Sequence, residues 1–84
     1  MTFEVHVNIL PLKGLLDPQG KTVHQGLNKI GLQQISDVRI GKRIVMHIDA
    51  SSAEEAHSIA EDACKKVLVN AVMEGYEIEV AQQA

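Results

Sequence analysis

An α+β fold, one small antiparallel sheet with two helices on one face, is what this 84-residue sequence predicts. Three observations carry that reading. Residues 3–10 and 76–80 alternate apolar and polar side chains, and within residues 35–49 Val38, Ile40, Ile44, Met46 and Ile48 all fall at even positions. Two helix-entry signals, Asp17-Pro18 and Ser51-Ser52-Ala53-Glu54-Glu55, fall between those segments. The length allows one domain, residues 1–84, in the order β-α-β-α-β.

In the first strand Phe3, Val5, Val7 and Ile9 face the core, and Pro11 ends the ladder because it has no N–H to donate. A loop over residues 12–16 leads to Asp17, which caps a helix with Pro18 at its first position. Val23, Leu27 and Ile30 recur at helical spacing, and Gly31 suits the left-handed residue just past the end. Gly20 shares that stripe, which predicts close backbone approach there. Residues 35–49 admit a hairpin at Gly41-Lys42 or one strand. A two-residue turn would pair even with odd positions and split Val38, Ile40, Ile44, Met46 and Ile48 between two faces. One long second strand, bent near Gly41, keeps them together. At about 3.3 Å per residue it overhangs a domain of this size and offers its end to another chain.

Ser51 with Glu54, and Ser52 with Glu55, form two overlapping capping boxes. The second helix buries Ala56, Ile59, Ala60, Ala63 and Val67 and stops at Asn70 as a left-handed residue. Leu68 falls outside that stripe, which marks a second contact surface. Tyr76, Ile78 and Val80 form the last strand, and residues 82–84 fray.

Composition narrows the function. Two aromatics in 84 residues leave a core of Val, Ile, Leu and Ala, so the chain is marginal alone and gains from association. A net charge of −3 lacks the footprint of a nucleic-acid binder, and one cysteine excludes disulfide frameworks. No apolar run reaches membrane-spanning length and no signal peptide is evident, so a cytoplasmic protein is expected.

Chemical motifs are sparse. Gly20-Lys21-Thr22 imitates the end of a P-loop, but five residues separate Gly14 from Gly20 where the motif needs four. Asp17 and Pro18 would also sit in the cradle, so the segment reads as helix entry. Glu54, His57, Glu61 and Cys64 share a helix side, with His47 a conceivable addition, and read as an exposed helix face rather than a metal site. Cys64 and His57 stand seven helical positions apart, too far for a nucleophile–base pair. His6 and His24 have no sequence partner and read as surface residues. Arg39, Lys42 and Arg43 form the one notable charged cluster, either a solvated strand edge or a surface for an anionic partner. No catalytic, cofactor-binding or metal residues are assigned.

The chain resembles the PurS family, the small subunit of phosphoribosylformylglycinamidine (FGAM) synthase. The resemblance rests on Leu16-Asp17-Pro18-Gln19-Gly20 with Leu27 and Gly31, on Val38-Arg39-Ile40-Gly41-Lys42, and on Cys64-Lys65-Lys66-Val67-Leu68-Val69-Asn70 with Glu74, Tyr76, Ile78 and Val80. Ala71 stands where relatives commonly carry Pro. The resemblance implies a ferredoxin-like-related fold and a non-catalytic accessory subunit of purine biosynthesis. Its partners would be a glutaminase (PurQ), a large synthetase (PurL) that uses ATP and Mg²⁺, and a second copy of itself in a homodimer or tetramer. Asp17, Gly20, Arg39, Lys42, Arg43, Leu68 and Asn70 are the expected interface residues. The competing reading is a free-standing ferredoxin-like regulatory module that binds a small ligand at a dimer interface. Such a module usually divides the middle segment into two strands.

Overall fold

The alternating Phe3, Val5, Val7 and Ile9 become the middle of the sheet. In a computed structural model of the chain, which describes residues 1–14 and 17–82, β1 (Thr2–Pro11) lies between β2 (Lys42–Asp49) and β3 (Glu74–Gln82), antiparallel to both. Val5 stands opposite Met46 and Val80, and Val7 opposite Ile44 and Ile78. A central strand is screened by neighbours on both edges, so Phe3, Val5, Val7 and Ile9 are at most 3% exposed. Ile44, Met46 and Ile48 of β2 and Tyr76, Ile78 and Val80 of β3 share the face of Phe3, Val5, Val7 and Ile9, while Leu10 and Val45, at the opposite parity, are exposed. Residues 15 and 16 of the expected loop, and 83 and 84 of the expected tail, lie outside the described residues. Gln82, expected to fray, ends β3 opposite Phe3.

One helix covers that face. α2 (Ala53–Ala63) packs on all three strands, with Ala56, Ala60 and Cys64 buried against β1. Small side chains at four-residue spacing let the helix sit close to a sheet surfaced by Val and Ile. At its entry the two expected capping boxes reduce to one. The Ser52 hydroxyl accepts from the Glu55 amide (3.1 Å), while the Glu55 carboxylate reaches back to the hydroxyl and amide of Ser51 (2.9 and 3.4 Å).

The far end of α2 differs from the expected stripe, and its geometry gives the reason. Residues Cys64–Leu68 form a π-helical turn, closed by the Val69 amide on the Cys64 carbonyl at 3.1 Å. Widening the turn by one residue rotates the side chains beyond it. Leu68 therefore turns inward onto the Val7–Ile9–Cys64 cluster, and Val67 turns out to 81% exposure. Ile59, also expected inside, is exposed. Asn70 is not a left-handed stop, because no described residue other than glycine has positive φ. It organises the turn into β3 instead. Its carbonyl accepts from the amides of Met73 and Glu74, its side-chain oxygen accepts from Val72, and its amide donates to the Glu74 carboxylate.

α1 (Pro18–Lys29) begins and ends as its sequence dictates, with Pro18 directly after the Asp17 cap. At its end Gly31 has φ +94°, and Leu32 donates to the Leu27 carbonyl at 3.1 Å. Its position is the correction. α1 does not lie beside α2 on the sheet, and among the described residues it has no packed contact with any strand or with α2. Val23 is exposed, Leu27 only half-buried, and Ile30 73% exposed.

The expected long strand over 35–49 is also shorter, since β2 begins at Lys42. β1 supplies ladder partners only as far as Ile9, opposite Lys42, and the Ile40 amide is donated to Asp17 rather than to a strand. A Cβ at Gly41 would run into the Ile9 carbonyl, so only glycine lets the chain cross the end of β1 here. No hairpin forms, and the sheet has three strands rather than four.

These departures stretch the molecule. Its radius of gyration is 16.3 Å over extents of 50 × 29 × 14 Å, against about 12 Å expected for a compact chain of this length. Its accessible surface is 5933 Å², roughly 1,000 Å² more than a compact monomer of this mass exposes.

The π turn makes opposite predictions for adjacent residues. Leu68→Ala is expected to cost about 1–3 kcal/mol in urea unfolding, and Val67→Ala within about 0.5 kcal/mol. Equal costs would contradict the rotation. Ala60→Leu, which places a large side chain at the closest approach of α2 to the sheet, is expected to cost about 1–3 kcal/mol by the same measurement.

Candidate functional site

Two of the three stretches that carry the resemblance meet at one place in space, the junction of α1 with the connection before β2. Asp17 Oδ1 accepts from the Gly20 amide at 3.0 Å, as a helix cap does. Its Oδ2 accepts from the Ile40 amide at 2.9 Å. The two oxygens thus tie the start of α1 to a segment 23 residues further on. These bonds, Gly20 first and Ile40 second, hold the carboxyl below its ordinary range, and the nearby Arg39 guanidinium adds to the effect. Gly20 is buried because the Val38 carbonyl lies over it, where a Cβ would collide with that oxygen and with Asp17. Further along α1, the His24 ring Nε2–H donates to the Ile35 carbonyl at 2.7 Å. Asp17, Gly20, Val38 and Ile40 are therefore parts of one clasp, flanked by Arg39.

A cleft of about 670 Å³ opens beside the clasp, between the end of β1, α1 and residues 37–39, with Lys13, Lys21, His24, Asp37 and Arg39 on its walls. The Arg39 guanidinium donates to the Pro11 carbonyl at 3.3 Å. A second depression of about 350 Å³ continues past Leu12 toward Tyr76 and Glu77. Lys21 reaches this cleft, but not as a phosphate cradle, since the Asp17 carboxylate already occupies the Gly20 amide.

Arg39, Lys42 and Arg43 do not form one cluster. Consecutive strand residues point to opposite faces, so Lys42 pairs with Glu74 (3.7 Å) on the α2 side and Arg43 with Glu79 (4.0 Å) on the other. Arg39, before the strand, faces the cleft. Leu68 is half-buried against the core, and Asn70 holds Glu74, whose second oxygen takes Lys42.

The face of the sheet away from α2 carries a network the sequence did not disclose. Glu4 accepts from His6 Nε2 at 2.7 Å and from His47 Nε2 at 3.4 Å, and these bonds lower its pKa. Arg43 donates to His6 Nδ1 at 2.5 Å, which fixes the proton on His6 Nε2. His6 and His24 are thus partnered rather than free surface residues. Glu4 is His6's neighbour on the same strand face, whereas the His6–Arg43 and His24–Ile35 contacts leave the element and no local spacing announces them. On α2, His57 pairs with Glu61 at 3.9 Å while Cys64 turns into the core, where burial and then Glu61 push its thiol pKa up. Among the described residues no three His, Cys, Asp or Glu side chains converge as metal ligands. No helix among them is long and apolar enough to cross a membrane.

A clasped helix arm on a one-helix sheet, with charged grooves and paired surface carboxylates, defines an interaction module. Comparison with known proteins makes this specific. The profile of the PurS family, described as phosphoribosylformylglycinamidine (FGAM) synthase, matches residues 4–82. A PurS subunit from Methanocaldococcus jannaschii is 35% identical over 81% of this chain and 82% of its own. One from Bacillus subtilis is 32% identical over 95% and 94%. The solved PurS of Thermus thermophilus superposes with a TM-score of 0.88 at 30% identity over the whole of both chains. A chain of the Thermotoga maritima PurLQS structure reaches 0.88 at 29% identity, over 95% of this chain and 98% of its own. The chain belongs to the PurS family of FGAM synthase.

The clasp has a pH signature. A lowered folded-state pKa means that Asp17 stabilises the junction fully above the ordinary aspartate value of 3.8 and ceases to do so as pH falls through its own lower value. The Gly20 and Ile40 amide resonances are expected to titrate together with a midpoint below 3.8. A midpoint at or above it would contradict the clasp. Asp17→Ala is expected to lower NMR order parameters throughout α1 while those of β1 stay unchanged.

Proposed function

We propose that this chain is the structural subunit of an FGAM synthase in de novo purine biosynthesis. It holds a glutaminase subunit (PurQ-like) and a synthetase subunit (PurL-like) together, so that ammonia released from glutamine reaches the synthetase. The observation that carries this reading is family membership across residues 4–82, joined to the likeness to a chain of the T. maritima PurLQS structure. The chain itself contributes no catalytic group, and the ATP and Mg²⁺ of the reaction are used by the large subunit. The assembly is cytoplasmic.

Self-association is part of the proposal, as a homodimer or a pair of dimers. The surface excess of roughly 1,000 Å² is similar to the 800 Å² or so that each partner buries in a standard interface. Its apolar components are the exposed stripe of α1, Val23 and Ile30, and the Val67, Val72 and Met73 patch after α2. Neither the shortened β2 nor Leu68 supplies it.

Glutamine-dependent amidine formation, assayed with the two larger subunits in the presence and absence of this chain, tests the proposal. Activity is expected only with all three, and none from this chain alone. Unchanged activity on omitting it would overturn the reading.

A further inference from the structure

The chain has eight lysines and arginines. Four of them lie within 4.0 Å of a carboxylate: Lys42 with Glu74, Arg43 with Glu79, Lys65 with Glu61 and Lys66 with Asp62. Of the four others, Lys13, Lys21 and Arg39 line the same cleft, and only Lys29 lies elsewhere. Three of the four cations with no carboxylate within 4.0 Å are therefore gathered at one place on an otherwise acidic chain, Arg39 among them bonded to the Pro11 carbonyl. Two carboxylates share the cleft, but Asp17 is committed to the amides of Gly20 and Ile40, which leaves Asp37.

The cleft does not stop at these cations. The depression on the far side of Leu12 shares Pro11, Leu12, Lys13 and Arg39 with it and adds Leu10 and Tyr76. Leu10 and Leu12 are both exposed by about two-fifths. The result is one groove with a cationic stretch and an apolar stretch. No charged or polar residue is buried among the described residues, so the groove lacks the deep polar anchors by which small-molecule sites enclose a ligand. Asp37 and Glu77 on its walls, and the net charge of −3, set it against a nucleic-acid backbone.

We propose that this groove docks a segment of a different protein chain, one carrying carboxylates beside an apolar side chain. The proposal rests on the assembly reading and names the contact by which one larger subunit is held. A second copy of this chain is a poorer occupant. Of its four helical carboxylates, Glu55, Glu61 and Asp62 are already engaged by the Ser51 cap and by Lys65 and Lys66, which leaves the single Glu54 to meet three cations. The carboxylates of the segment pair with Lys13, Lys21 and Arg39, and its apolar side chain covers Leu10 and Leu12. Charge pairing at an exposed rim mainly speeds encounter and is screened by salt.

Lys13→Glu/Lys21→Glu tests this, since neither side chain takes part in a hydrogen bond of the fold and a carboxylate in the first turn of α1 suits the helix dipole. The variant, checked for an unchanged thermal melt, is titrated into each of the purified synthetase and glutaminase subunits at low and high salt. Lys13→Arg/Lys21→Arg, which keeps the charge, is the control. The double Glu variant is expected to bind one of the two subunits at least tenfold more weakly, with its salt dependence flattened, and the Arg variant to bind as the unmodified chain does. Unaltered binding of both subunits would overturn the proposal while leaving the assembly reading intact. So would a change confined to self-association, or tight saturable binding of inorganic phosphate to the free chain that is lost in the Glu variant. Failure of the unmodified chain to bind either subunit would overturn the assembly reading and this proposal with it.

Discussion

The carboxylate of Asp17 accepts one amide from α1 and one from the connection ahead of β2, and those two bonds hold together the half of the molecule that the sheet does not. Without them α1 would be held only by its loops and by the His24 bond to the Ile35 carbonyl, since it packs on no strand. With them the Ile40 amide is taken from any ladder, β2 starts at Lys42, and Val38 is laid over Gly20. The cleft between β1, α1 and the connection exists because this clasp sets its walls. Capping, strand length and the binding surface are consequences of one side chain with two lone-pair directions in use.

The sheet half is governed by different physics. β1 is buried on both edges and under α2, and its four apolar residues fill the space that small helical residues leave. This part was legible in the sequence, because period-two alternation and the helix-entry signals are local properties. Asp17-Pro18, Gly31 and Ser52 acted where they stood. The evenness of Val38 to Ile48 correctly excluded a tight hairpin.

The features that the sequence did not disclose depend on distant contacts. An apolar stripe at Val23, Leu27 and Ile30 indicates that something covers α1, but not whether the cover is the chain's own sheet. The π turn shifts Leu68 and Val67 by one position, and no composition rule for Cys64–Leu68 foretells it. Lys42 and Arg43 are adjacent in sequence and on opposite faces in space, which a cluster read along the chain overlooks. Lys21 stands in the sequence only as part of a false P-loop, and Lys13 carries no signal, because their shared cleft is lined by residues from three separate segments. The resemblance to PurS points to Asp17 and Gly20 as interface residues, whereas their contacts are within the chain.

The common thread is a small chain that leaves apolar surface on α1 and uncompensated cations beside it, to be covered by other subunits. Hydrogen exchange of α1, compared between the dilute isolated chain and its complex with the two larger subunits, tests this most directly. Amides of residues 20–30 are expected to exchange quickly in the free chain and to become strongly protected on assembly, while those of β1 are slow in both states. An α1 already as protected as β1 in the isolated monomer, or one whose exchange does not change on assembly, would contradict it.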